Sequence, residues 1–136
     1  LKIINNLNFK AELSLDFHET CPEDNCDITQ GNKLPTEFYL YEVCLDDKLK
    51  IGRKLIDNLE KQTSICSWDN IFGDKAVNGV ISYPQNSDAS ESFSGKTLDL
   101  FLFNNGFTKN ALTIETMAHL PMKERINQIK TILNCL

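Results

Sequence analysis

The chain holds two histidines, His18 and His119, and five cysteines, Cys21, Cys26, Cys44, Cys66 and Cys135. A thiolate nucleophile needs a base beside it, so a catalytic reading would pair Cys66 with His119, and nothing in the sequence places the two together. His18 falls on the polar side of an alternating run, as an exposed histidine would. The sequence has no glycine-rich phosphate loop, nucleophile elbow or paired helical histidines. The expectation is no catalytic residue and no enzyme.

Acidic residues gather at Glu19, Glu23, Asp24 and Asp27, at Asp46 with Asp47, and at Asp69 with Asp74. Calcium takes several carboxylate and carbonyl oxygens, but none of these groups follows a calcium-loop spacing, and acids beside turns are ordinarily solvated. Zinc would need a second matched ligand pair beyond Cys21 and Cys26. No metal and no cofactor is expected.

Composition narrows the partners. A formal charge of -5 and a pI near 5.0, with no cluster of Lys or Arg, repel phosphate backbones, so nucleic acid is not an expected partner. With 136 residues, 41% of them hydrophobic and 24% charged, residues 1–136 are expected to form one domain around one core. No apolar run is long enough to span a bilayer, and the start at Leu1 reads as that of a trimmed or mature chain. Five cysteines in a chain of this size suggest an extracellular or cell-surface setting; the rival reading is a set of buried thiols in a cytosolic protein.

The elements that would carry these residues follow from periodicity. From Leu7 to His18 apolar and polar residues alternate without a break, with Leu13, Leu15 and Phe17 on one side and Ser14, Asp16 and His18 on the other: a strand with one wet face. A loop containing Cys21, Cys26, Pro22, Gly31 and Pro35 follows. The stretch "EFYLYEVCLDD" at 37–47 is apolar in both alternating sets except at Glu42, which suits a central strand covered on both sides.

Residues 48–62 fit either a helical face (Leu55, Ile56, Leu59) or a strand edge (Leu49, Ile51). Further strands are expected at 64–68, 77–83, 96–103 and 111–118, and a helix after Pro121 with Met122, Ile126, Ile129 and Leu133 at helical spacing. The expected fold is a mainly β, antiparallel β-sandwich with one short C-terminal amphipathic helix. In "FLF", Phe101 and Phe103 share one face of the expected strand; they are either core or an exposed aromatic row of the kind that anchors protein binding.

The succession "FKAELSLDF", a cysteine loop, "YEVCL" with Cys44, "CSW" with Cys66, "FLF" and "LTIET" resembles the N-terminal C2-like module of the Notch ligands of the Delta, Serrate and Jagged family. The resemblance runs from about residue 9 to 133, in order and approximate spacing. It implies disulfides Cys21–Cys26 and Cys44–Cys66, the second closing a segment worth about 3 kcal/mol by the chain-entropy model. Carried over by position, the receptor-facing residues are Phe101 or, with a one-residue gap, Leu102, beside Phe103, with Asp47 as a further candidate. The loop "TMAHLPMKER" has no aspartate, so calcium binding there is expected to be lost. Cys135 has no partner in this scheme.

The function implied is a non-enzymatic extracellular recognition module for the EGF-like repeats of a Notch-type receptor in cell–cell signalling. The alternatives are a C2-like module in weak contact with membrane lipid, or a secreted effector on the same sandwich.

Overall fold

The computed structural model describes residues 10–20, 34–83 and 97–136. The Cys21–Cys26 loop, the turn-rich segment at 84–95 and the first residues of the expected opening strand lie outside the described residues. In chain order the elements are β1 (Ala11–Thr20), β2 (Tyr39–Cys44), a 3-10 turn (Asp47–Leu49), α1 (Gly52–Leu59), β3 (Asn70–Ile71), β4 (Asp74–Val77), β5 (Val80–Tyr83), α2 (Leu98–Asn104), β6 (Thr108–Met117) and α3 (Met122–Asn134).

The strands form one six-stranded sheet in the order β1-β6-β2-β5-β4-β3. β1 is parallel to β6, β6 antiparallel to β2, and β2 parallel to β5. β4 and β3 extend the far side through antiparallel pairs, β5 turning back from β4 over Asn78 and Gly79, two positive-φ residues that suit a two-residue hairpin.

This is an α/β fold, and the expected antiparallel β-sandwich is wrong. Alternation reports which side chains share a face of a strand; it carries no information on the direction of the neighbouring strand. Residues that a second sheet would have needed are helical instead.

Helices cover both faces of the sheet. On one face Leu40 of β2 and Leu112 and Ile114 of β6 pack against Leu55, Ile56 and Leu59 of α1 and Ile132 of α3. On the other, Val43 and Ala111 pack against Leu100 and Phe103 of α2. β2 is accordingly a central strand buried from both sides.

Glu42, the one residue that broke its apolar pattern, is only 1% exposed and accepts hydrogen bonds from the backbone N–H groups of Ile51 (2.7 Å) and Gly52 (3.2 Å) and from Asn110 Nδ2 (3.2 Å). A carboxylate at the start of α1 satisfies donors that the helix cannot pair itself and meets the positive end of its dipole. Gly52 permits this approach, because a Cβ there would stand 2.8 Å from Glu42 Oε2.

The stretch 96–103, expected as a strand, forms α2 over its described part. Leu98, Leu100, Phe101, Leu102 and Phe103 are apolar in any register, so periodicity alone does not choose between helix and strand. The choice is made at the C-terminal end, where Gly106 adopts φ +70, its N–H donates to Phe103 O (3.0 Å) and the N–H of Phe107 donates to Leu102 O (2.8 Å). That pair of bonds is the Schellman closure of a helix, completed by the stacking of Phe107 on Phe101 at 6.4 Å.

Cys44 and Cys66 are both free thiols, so the expected bridge between them is not formed. Cys66 N–H donates to Phe38 O, which places it beside the start of β2, whereas Cys44 ends that strand. Five residues of extended chain, about 16 Å, separate the two levels, well beyond the reach of about 7 Å between Cα atoms that a disulfide allows. Burial pushes both thiols up from their ordinary pKa, which disfavours the thiolate.

Candidate active site

Side chains of β1, β6 and β2 meet on the face that carries α2. The parallel register sets His18 opposite Glu115 and Asp16 opposite Thr113, and β2 adds Tyr39 opposite Glu115 and Tyr41 opposite Thr113. Because alternate residues share a face, this register gathers His18, Asp16, Glu115, Tyr39 and Tyr41 from three strands. His18 and Glu115 stand near the carboxyl ends of their parallel strands, where open α/β sheets bind ligands.

Glu115 is largely enclosed, with its side chain 12% exposed. Thr20 Oγ1 donates to Glu115 Oε2 at 2.9 Å and lies 2.9 Å from the Tyr39 hydroxyl. Thr20 has one hydroxyl proton; spent on Glu115, it leaves Tyr39 as donor to Thr20, so the chain runs Tyr39 to Thr20 to Glu115. Burial, then the Glu115 charge, raises the Tyr39 phenol well above its ordinary range, so it stays a donor.

Burial is also the main cause that holds the Glu115 carboxyl above its ordinary pKa. The Thr20 bond and His18 pull the other way, and Asp16 and Asp99 push it further up. A carboxyl in this state keeps its proton to higher pH than an exposed one.

His18 lies between two carboxylates: Nε2 is 3.2 Å from Asp16 Oδ2 and Nδ1 is 3.8 Å from Glu115 Oε1. Asp16 stands on the Nε2 side of the ring, which leaves Nδ1 on the side of Glu115; a carboxylate beside one nitrogen is the arrangement found behind metal-bound histidines. Among the described residues, no group of three His, Cys, Asp or Glu side chains is placed to hold a metal ion. The described residues therefore fit one ligand position of a metal centre and do not complete one.

Beside this pair a cavity of about 200 Å³ opens, lined by His18 and Glu115, by Tyr41 and Tyr83, and by Asp99 and Leu100 of α2, among others. Drug-sized ligands occupy roughly 300 Å³ or more, so the space suits a single side chain.

The residues singled out in the sequence lie elsewhere. Phe103 is buried against Val43 and Ala111, Phe101 stacks on Phe107, and Leu102 is half-buried on the same helix, so the three do not form a strand face. Asp47 is exposed in the 3-10 turn and pairs with Lys50 at 2.8 Å. Asp46 accepts from the Lys48 N–H, and Asp74 accepts from the Tyr83 hydroxyl. Cys66 is buried, whereas His119 is exposed on the turn after β6. Neither Glu115 nor the site role of His18 follows from the local sequence; the signal that joins them is a polar side chain at the same depth on the same face of two strands.

No protein-family model and no curated protein matches the sequence. Solved structures with the same fold do. A protein of Shewanella amazonensis SB2B described as a putative metallopeptidase is 21% identical with a TM-score of 0.57, over 88% of this chain and 39% of that one. Proteins of Shewanella denitrificans OS217 and Shewanella baltica OS155, described in the same words, are 19% and 18% identical, each with a TM-score of 0.56. These cover 86% and 88% of this chain and 37% and 38% of those chains. The chain thus spans less than two-fifths of the length of the Shewanella proteins.

The resemblance to the Notch-ligand module is overturned: the fold is a mixed sheet between helices, shared with these proteins, and not a C2-like sandwich. The readings of a non-enzymatic recognition module and of a C2-like lipid binder lose their basis with it. So does the expectation of no enzyme, which rested in part on that module, whereas the proteins that share the fold are described as putative metallopeptidases.

Proposed function

We propose that this chain contributes the proton-transfer side of a metal-dependent peptidase site, with Glu115 as general base and acid and His18 as one metal ligand through Nδ1. The observation that carries this reading is the largely enclosed Glu115 carboxyl 3.8 Å from His18 Nδ1, with Asp16 3.2 Å from the other nitrogen, beside a cavity sized for one side chain. The likeness in fold to the Shewanella proteins supports the peptidase class. Further ligands would come from outside the described residues.

When bound, the metal would polarise a carbonyl and make water acidic. Glu115 accepts the proton of the water that attacks the peptide carbonyl and passes it to the leaving amine. Thr20, held by Tyr39, fixes the orientation of Glu115 Oε2, so that Oε1 faces the reacting groups. Asp16 keeps the His18 ring in place.

Glu115→Gln keeps the shape and removes the basicity. With Zn²⁺ added and a peptide mixture as substrate, the protein is expected to release amino acids or short peptides, and Glu115→Gln to lower the rate by about a hundredfold or more. His18→Ala is expected to weaken Zn²⁺ binding in calorimetry. A Glu115→Gln protein that cleaves at the wild-type rate would remove the assignment.

A further inference from the structure

The cavity beside Glu115 has a chemical character that proton transfer does not require. At its α2 side lies Asp99, 4% exposed, with Oδ2 accepting a hydrogen bond from the Thr113 hydroxyl and Oδ1 without a hydrogen-bond partner among the described residues. Its position in the first turn of α2 meets the positive end of the helix dipole; Oδ1 is enclosed by protein, so what a guest in the cavity meets is the Asp99 carboxylate at the wall and not a vacant acceptor atom.

The walls match the same kind of guest. The rings of Tyr41 and Tyr83 line the cavity and stack at 5.9 Å, 5° from parallel. Aromatic faces attract cations. Val43, Leu100 and Ala111 supply apolar surface along which a methylene stem can lie. Among the described residues, neither Asp99 nor Glu115 forms an ion pair with a Lys or Arg of the chain.

The geometry points to a subsite for a basic side chain: a substrate Lys or Arg enters the cavity, its stem against Val43 and Leu100 and its charged head between the tyrosine rings and Asp99. This rests on the peptidase reading for the word substrate. Thr113, which holds Asp99, precedes Glu115 by two residues on one face of β6, a separation of about 7 Å. A basic side chain anchored at Asp99 therefore leaves its own backbone beside Glu115, where a scissile bond would have to be. Asp99 acts as a specificity-determining residue and takes no part in proton transfer.

The test uses binding, so it does not depend on turnover. The protein is titrated with Nα-acetyl-arginine amide and with Nα-acetyl-norleucine amide, which has an apolar stem and no charge, while NMR shifts follow Tyr41 and Tyr83. The arginine probe is expected to bind about tenfold more tightly or better, and Asp99→Asn, which keeps an acceptor for Thr113, to bring the two probes within about threefold.

Equal binding of the two probes by the wild type, no binding of either, or a preference that survives in a folded Asp99→Asn protein would overturn the subsite. Should Asp99→Asn fail to fold, the wild-type comparison decides, with Tyr41→Leu as the second variant expected to weaken the arginine probe. Cleavage of neutral peptides with no basic preference would leave the peptidase reading standing without this subsite. A basic preference in a protein that cleaves nothing would do the reverse.

Discussion

Two glutamates on neighbouring strands, one on each face of the sheet, show how differently the same side chain can be held. Glu42, on the face sealed by α1 and α3, is surrounded by donors: the Ile51 and Gly52 N–H groups and the Asn110 amide. Glu115, on the face only partly covered by α2, receives one hydroxyl from Thr20 and otherwise looks at His18, Asp16 and a cavity. A carboxylate whose charge is fully met is a structural cap. One whose charge is undersupplied is free to exchange a proton, and this contrast separates architecture from chemistry in a single sheet.

The comparison can be broken by one substitution made at both places. Glu42→Gln turns an amide N–H₂ toward the Gly52 N–H and removes the charge from the α1 terminus, so a loss of about 2 kcal/mol is expected in urea unfolding at pH 7. Glu115→Gln at the same pH is expected to leave stability unchanged or raised. Equal losses at the two sites would show that the faces do not differ in the way described.

A smaller effect concerns α2, the element that gives the second face its cavity. Gly106 closes that helix at φ +70 with nothing within 4 Å of the place where a Cβ would be, so Gly106→Ala meets only backbone strain. The expected cost is about 1 kcal/mol, read as a drop in denaturation midpoint. If α2 also shapes the cavity, the arginine probe should bind more weakly in this variant. A stability loss without any change in probe binding would separate the helix closure from the cavity.

Much of the sealed face could be read from residue order. The alternation of Leu13, Leu15, Ser14, Asp16 and His18 placed them on the faces they occupy, and the two apolar sets of 37–47 anticipated a strand covered from both sides. A helix does follow Pro121, although Met122, Ile126 and Leu133 of its expected apolar face are exposed and Gln128 and Ile132 are buried instead.

The open face was not legible for two physical reasons. Apart from Asp99, the run from Leu98 to Phe103 is apolar in both the strand and the helix period, and the helix is decided only by its closure at Gly106. Pairing of His18 with Glu115 depends on the parallel register of two strands at opposite ends of the chain, and no local pattern encodes it. The family resemblance drew on the same short strand motifs and inherited the same blindness to topology.

The subtlest difference between the two glutamates is one of proton linkage. Glu115 binds its proton more tightly in the folded chain than in the unfolded one, chiefly because burial disfavours its charge. Below the unfolded pKa, which lies near the model-compound value of 4.5, both states hold the proton and the contribution to stability is fully present. As pH rises toward the raised folded value, the unfolded chain has already released its proton and the folded one has not, so stability falls with pH and the contribution is lost beyond it. Glu115→Gln has no proton to release, so the wild type should lose Tm relative to this variant as pH is raised from about 4. His18, Asp16 and Asp99 act on the same carboxyl and are present in both proteins, which is why the difference between the two Tm curves, and not either curve alone, isolates Glu115. Parallel Tm curves across this range would mean that the carboxyl is held no differently in the folded and unfolded chains, and the asymmetry between the faces would then rest on hydrogen bonding alone.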